Sequence, residues 1–273
     1  MRNVLGASLY KKQANRFERI ADISREFSGA YCGSSILGTT IFGIAENYAR
    51  KKERFLEVLR YPFKDTELWA FTFVKRGTIF LCVNSELAMC KQIFAVAHEL
   101  YHIRCYAEDI NTNTIQTGSI LESKVVDETV VTQEDLEANA FAGLVLMPDA
   151  LMREQVALYG ITKENIKVDD ILTLMELFAL PYKAVVLRLY EGQIITETKA
   201  EELLKHNADY VAQRIELTGK ARQWQMNSVG IEYFGSLLDN LEFNSENELL
   251  TESREAADRK FLEELKASFR RDR

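Results

Sequence analysis

The run KQIFAVAHELYHIRCY, residues 91–106, constrains the fold of this chain more than any other segment. It contains no Gly or Pro, and apolar side chains occur in nearly every direction around a helical axis. This pattern predicts a helix that is buried on all sides. Within it, His98 and His102 lie four residues apart and so share one helical face, with Glu99 beside them. Two imidazoles and a carboxylate are costly to bury unless they serve a common purpose.

The His-Glu-x-x-His spacing is typical of a zinc site that carries its own catalytic base. We therefore predict a zinc hydrolase, and a peptidase in particular, with His98 and His102 as metal ligands and Glu99 as the base. Zinc in a hydrolase takes three protein ligands and keeps a fourth position for water. The remaining histidine, His206, lies in the polar stretch EELLKHNADY, so we expect a carboxylate as the third ligand.

The segment TQEDLEANAFAGLVLMP, residues 132–148, offers that carboxylate. Thr132, followed three residues later by Asp135, predicts a helix start, and Pro148 predicts its end. The segment therefore predicts a second helix for the metal site.

Glu137 is the predicted third ligand on this second helix. In a helical projection it falls within the apolar stripe, whose members are Ala140, Phe141, Leu144 and Val145. A carboxylate in a core stripe needs a cation or a metal, although Glu137 could also bend to solvent. Glu134 is the alternative ligand on nearly the same face, whereas Asp135 projects away. Asn139 is a candidate for orienting a ligand histidine, or for facing solvent.

These two segments together resemble the ImmA/IrrE family of bacterial metallopeptidases. The family pattern is a His-Glu-x-x-His helix followed by a helix that reads Glu-Ala-Asn-x-Phe-Ala and ends in Leu-Met-Pro. The resemblance covers at least residues 78–189, including TIFLCVNS and DDILTLMELFALPYKAVVLRLYEGQII. It implies an α+β, zincin-like fold with a small sheet packed on the HExxH helix, Zn²⁺ as cofactor and Glu137 as third ligand. It also implies a protein substrate of the Xre-type helix-turn-helix repressor class.

The rest of the chain divides into a body and a tail. Residues 68–74 and 78–83, rich in aromatic and β-branched side chains, predict a β-hairpin. Residues 11–27 and 40–60 predict helices, and the polar stretch 107–131 is either a flap beside the site or a disordered connection. Beyond residue 196 the chain becomes helix-rich and highly charged. We therefore predict a peptidase domain at 1–195 and a helical C-terminal extension at 196–273.

Composition excludes several other classes of protein. The net charge of −7 and the pI near 5.3 argue against a general affinity for nucleic acid. No apolar stretch approaches the roughly 18 residues of a membrane helix. The four cysteines form no CxxC pair, and no signal peptide is apparent, which together favour the cytoplasm.

Three functions remain in competition. The first is a zinc endopeptidase that cleaves a repressor of a phage or mobile element. The second is a zinc-containing repressor-binding or toxin-antitoxin protein that does not cleave, although binding alone does not require Glu99. The third is a structural protein with fortuitous histidines. For the peptidase, the donor that stabilises the tetrahedral intermediate is open by residue type among four side chains: Tyr101, Tyr106, Tyr182 and Arg188.

Overall fold

The computed structural model describes residues 4–33, 36–106, 116–122, 132–219 and 233–270. Its α+β architecture confirms the predicted fold class. A short 3-10 turn at Val4–Ala7 precedes helices α1 (Leu9–Lys12), α2 (Ala14–Phe27) and α3 (Thr40–Lys51). Three strands and the predicted metal helix follow as β1 (Phe55–Tyr61), β2 (Leu68–Lys75), β3 (Thr78–Asn84) and α4 (Met89–Tyr106).

The second half of the described chain is mainly helical. It begins with β4 (Gln116–Glu122), α5 (Gln133–Leu146), α6 (Asp149–Leu158) and α7 (Val168–Phe178). It continues with α8 (Tyr182–Glu191), α9 (Glu197–Leu204) and α10 (Ala208–Leu217). It ends with β5 (Tyr233–Phe234), α11 (Leu237–Glu246) and α12 (Glu252–Arg270).

The five strands form one mixed sheet in the order β4-β2-β3-β1-β5. Strands β1 and β3 are parallel, and the other neighbouring pairs are antiparallel. The predicted hairpin is confirmed as β2 and β3. Its two-residue turn consists of Arg76 and Gly77, both at positive φ (52° and 80°), which matches the twist of the flanking strands.

One helix prediction is wrong over part of its length. Residues 40–60 were expected to form one helix, but α3 ends at Lys51 and Phe55–Tyr61 forms β1. Glu53, at φ 55°, interrupts the helical backbone between them. Strand β1 then pairs with β3 along its whole length, a long-range interaction that the local pattern does not contain.

The sheet and two helices surround α4, the helix that carries the metal motif. Helix α4 lies against β2 and β3 on one face of the sheet and also contacts α3 and α5. Helix α2 packs on α5. Helix α4 is buried on nearly all sides, as its sequence predicts: Ile93, Ala97 and Leu100 are at most 1% exposed. The sheet, α3 and α5 thus enclose the helix that carries the histidines.

The C-terminal segment is helical, as predicted, but it also adds a strand to the sheet. Strand β5 pairs with β1, and the carboxylate of Glu57 in β1 accepts hydrogen bonds from the amide and hydroxyl of Ser236 at 2.8 and 2.5 Å. The boundary between residues 195 and 196 stays a prediction. It falls at Thr196, whose hydroxyl caps the start of α9.

Within the stretch 107–131, residues 116–122 form β4, and the remainder lies outside the described residues. In the part of the chain that the structure describes, every helix is too short or too polar to traverse a lipid bilayer.

Candidate metal centre

The two motif histidines face a common point beside α4. His98 and His102 are 0% and 2% exposed, and their Nε2 atoms lie 3.2 Å apart. The i, i+4 spacing on an undistorted helix produces this approach directly. The arrangement places two imidazole nitrogens where one cation would contact both.

Side chains of α5 fix the other nitrogen of each ring. The Nδ1 of His98 lies 2.9 Å from the amide oxygen of Asn139, and the Nδ1 of His102 lies 2.9 Å from a carboxylate oxygen of Glu134. Because both partners are acceptors, each Nδ1 carries the proton and each Nε2 presents a lone pair. Asn139 thus lies where it can orient His98. Glu134, the alternative ligand predicted from the sequence, contacts the Nδ1 side of His102, which faces away from the Nε2 pair.

The carboxylate of Asp135 faces the Nε2 pair. Its Oδ1 lies 3.9 Å from the Nε2 of His98 and 4.0 Å from that of His102. Its Oδ2 accepts hydrogen bonds from the amide and hydroxyl of Thr132, at 3.1 and 2.6 Å, in the capping box that begins α5. One carboxylate therefore caps the helix and faces the histidines.

The expectation that Asp135 projects away from the site is wrong. The helical projection assumed that the apolar stripe of α5 marks the side facing the metal. In the structure α5 is buried around most of its circumference by ten residues from Leu136 to Leu146, so apolarity does not identify that side. The packing of α5 on α4 turns the first helical turn, and Asp135 with it, toward the histidines.

Glu137, the predicted third ligand, makes different contacts. One oxygen accepts a hydrogen bond from the hydroxyl of Tyr101 at 2.6 Å. The other accepts a hydrogen bond from the Nε of Arg16, which belongs to α2. Among the described residues, one group with the donor types and spacing for a metal ion is found, and it consists of His98, His102 and Asp135. The structure therefore brings Asp135, and not Glu137, to the imidazole pair.

Burial controls the protonation of the site. The pKa of His98 is held well below its usual value, first by burial and next by the neighbouring His102, against the opposing effect of the Asn139 hydrogen bond. The imidazole of His98 is consequently neutral at physiological pH. A neutral imidazole with its lone pair exposed is the form that binds a metal.

The donor set fits zinc. Two imidazole nitrogens and one carboxylate oxygen are donors that Zn²⁺ accepts. Zinc bonds of about 2.0–2.1 Å in a tetrahedron separate neighbouring donors by about 3.3 Å. The 3.2 Å between the two Nε2 atoms agrees with that spacing. The 3.9 and 4.0 Å to Asp135 require a shift of that side chain by less than about 1 Å.

Glu99 lies on the neighbouring face of α4, directed at the sheet. It is 0% exposed, and its Oε2 accepts the hydroxyl of Thr72 at 2.6 Å. Thr72 is itself 1% exposed and lies in the middle of β2, where it pairs with Leu81 of β3. The hydrogen bond from Thr72 holds the Glu99 carboxylate in one orientation.

A family model now accounts for this constellation. The model of Peptidase M78, the IrrE N-terminal-like domain, matches residues 52–190. The chain belongs to this metallopeptidase family. The match confirms the ImmA/IrrE resemblance and extends it from residue 78 back to residue 52. A search of curated proteins finds no match.

Most side chains proposed to stabilise the tetrahedral intermediate have structural roles in this M78 domain. The guanidinium of Arg188 contacts the carbonyl of Met147, Asp149 and Glu191, and the hydroxyl of Tyr182 donates to the carbonyl of Leu203 at 3.1 Å. The hydroxyl of Tyr101 is bonded to Glu137. The side chain of Tyr106 lies outside the described part of the chain.

Sequence reasoning missed two residues of the candidate site. Asp135 carried a signal, since it stands four residues before Asn139 and so shares its helical face. Thr72 carried no comparable signal, because a lone threonine in an aromatic strand does not show which helix packs against it.

Proposed function

We propose that this protein is a zinc-dependent endopeptidase. The proposed ligands are His98, His102 and Asp135, and Glu99 is the proposed general base. The convergence of the three donor groups next to a buried glutamate carries this proposal. Membership of a metallopeptidase family agrees with it.

Asp135 replaces Glu137 in the proposed ligand set for two reasons. The carboxylate of Glu137 already has two partners, a tyrosine hydroxyl and a guanidinium, which satisfy its charge without a metal. Asp135 directs one oxygen at both imidazoles, and its other oxygen accepts hydrogen bonds from Thr132 in the helix cap. A ligand held in this way needs little reorganisation when a metal binds.

When bound, zinc would supply Lewis-acid activation of the attacking water and of the scissile carbonyl. The carboxylate of Glu99 would accept the proton that the water loses and deliver it to the nitrogen of the leaving amine. Thr72 would hold that carboxylate in one orientation through both transfers. Asn139 and Glu134 would keep the two histidines in the tautomer with a free Nε2.

The proposed substrate is a helix-turn-helix repressor of the Xre type, encoded by a phage or mobile element, so that cleavage relieves repression. This substrate rests on the family resemblance. Strand β4, at one end of the described sheet, offers backbone groups with which an extended peptide could pair. We also propose a cytoplasmic location, since Cys32, Cys82 and Cys90 are all free thiols in the structure.

The test uses the wild-type protein and its Glu99→Gln variant. Zinc is measured in each, and both are incubated with the helix-turn-helix protein encoded beside this gene. Stoichiometric zinc in both, with fragments produced by the wild type alone, is the expected result. Zinc binding with tight association but no cleavage by either protein would favour a repressor-sequestering role. A wild-type protein that binds no zinc would refute the metal site.

A further inference from the structure

Helix α2 lies before the matched M78 span, yet it packs directly on α5. Its buried side chains include Phe17, Ile20 and Phe27, and the ring of Phe27 meets that of Phe141 in α5 edge-on at 5.4 Å. At the start of α2 the amide of Gln13 donates to Gln133 at 2.7 Å. The helix is therefore held against the second ligand helix at both of its ends.

Arg16 provides a charged contact from α2 to α5. Its Nε donates to Glu137, whose side chain is 11% exposed, while the Arg16 side chain is 49% exposed. A carboxylate this deeply buried is stable as an anion only with a cation or several donors around it. Arg16 supplies that positive charge from outside the matched span.

Glu137 also contacts α4, the helix that carries the two histidines. Its second oxygen accepts the hydroxyl of Tyr101 at 2.6 Å, and Tyr101 is 6% exposed. Tyr101 directly precedes His102 in α4, and its ring lies edge-on to the imidazole, with centroids 5.9 Å apart. One carboxylate thus joins α2, α5 and α4 beside a proposed zinc ligand.

The contacts of Glu137 affect the distance between the proposed zinc ligands. The histidines lie on α4 and Asp135 lies on α5, so their separation depends on how the two helices are docked. Glu137 stands two residues after Asp135 and is bonded to α4. We propose that Arg16 is a positioning residue for the metal site, acting through Glu137 and Tyr101. The inference rests on the proposed zinc function.

Zinc affinity of the full-length protein tests the inference without any substrate. Zinc dissociation constants are measured by competition with a chromophoric chelator, well below the melting temperature, for the wild type, Arg16→Met, Glu137→Gln and the double variant. Residues that orient metal ligands typically contribute 10- to 100-fold to affinity, and we expect about tenfold weaker binding for each single variant. The double variant should bind zinc about as weakly as the weaker-binding single variant, because both substitutions break the same link.

A matched control exists on the same helix. Arg25 forms an exposed ion pair with Asp22 within α2, so Arg25→Met should leave zinc affinity unchanged. Arg16→Lys keeps the positive charge and should recover part of the lost affinity. Because Arg16 is half exposed, its variants test the inference even if Glu137→Gln does not fold.

Two outcomes would overturn this inference while leaving the proposed zinc function intact. In the first, Arg16→Met lowers the melting temperature but leaves zinc affinity at the wild-type value, which would make the link purely structural. In the second, the effects of Arg16→Met and Glu137→Gln add in the double variant, which would show that they act separately. A wild-type protein that binds no zinc would overturn the proposed function and this inference with it.

Discussion

Replacing Asp135 by Asn tests the proposed ligand set most directly. The change removes the anionic oxygen that faces both imidazoles while keeping the size of the side chain. Loss of a direct ligand should exceed the 10- to 100-fold effect of residues that only orient ligands, so we expect zinc binding to weaken by more than about 100-fold. At a zinc concentration about 100 times the wild-type Kd, a hundredfold weaker affinity removes about 2.3 of the about 2.7 kcal/mol of zinc-dependent stabilisation.

Asp135 has a second role, which must be measured separately. Its other oxygen accepts two hydrogen bonds from Thr132 in the cap of α5. Loss of such a cap costs about 1 kcal/mol of stability. Thr132→Ala therefore serves as the control. It should lower the free energy of unfolding by about 1 kcal/mol with or without zinc. Because the backbone amide of residue 132 still donates to Asp135, zinc affinity should fall by much less than the roughly 100-fold expected of Asp135→Asn.

Chemical denaturation with and without zinc, together with chelator competition, separates the two roles. Asp135→Asn should lose most of the zinc-dependent stabilisation, and Thr132→Ala should retain most of it. The reasoning fails if Asp135→Asn binds zinc as tightly as the wild type while Glu137→Gln loses more than about 100-fold. That result would restore Glu137 as the third ligand.

Three further predictions follow from the structure. Thr72→Val should keep its zinc but lower kcat about ten- to hundredfold, because a hydrogen bond to a charged acceptor contributes about 1.5–3 kcal/mol. In the metal-free protein, the free energy of unfolding of the wild type should fall relative to that of His98→Gln as the pH drops below about 6.5. The fall should be at most about 1.4 kcal/mol per pH unit, because His98 binds a proton in the unfolded chain but not in the folded one, where its ring is buried. Gly143→Ala should destabilise the fold by about 1–3 kcal/mol, since the new Cβ would lie 2.6 Å from the Cδ of buried Arg188.

Each of these predictions has its own check. Thr72→Ser keeps the hydroxyl and should retain most of the activity, so equal losses in Ser and Val variants would count against a positioning role. A wild-type protein whose unfolding free energy tracks that of His98→Gln across the pH range would show that His98 is not buried as a neutral ring. Gly43→Ala, in α3, meets no atom within 4 Å and should stabilise the protein by up to about 1 kcal/mol, as Ala does in a helix interior.

Local geometry determined much of the site from the sequence alone. The i, i+4 spacing of His98 and His102 is a property of any helix, so their approach follows once residues 91–106 are helical. Thr132 and Pro148 likewise marked the ends of α5 through capping chemistry and the missing amide of proline. These features depend on neighbours within a few residues, and a sequence contains such neighbours explicitly.

Tertiary packing decided the rest. Whether Asp135 or Glu137 meets the histidines depends on which side of α5 faces α4, and α5 is apolar around most of its circumference. Thr72 lies beside Glu99 because β2 crosses under α4. Residues 55–61 form a strand because they pair with β3. In each case the deciding contact joins residues distant in sequence, and its free energy outweighs the local preference on which a sequence pattern reports.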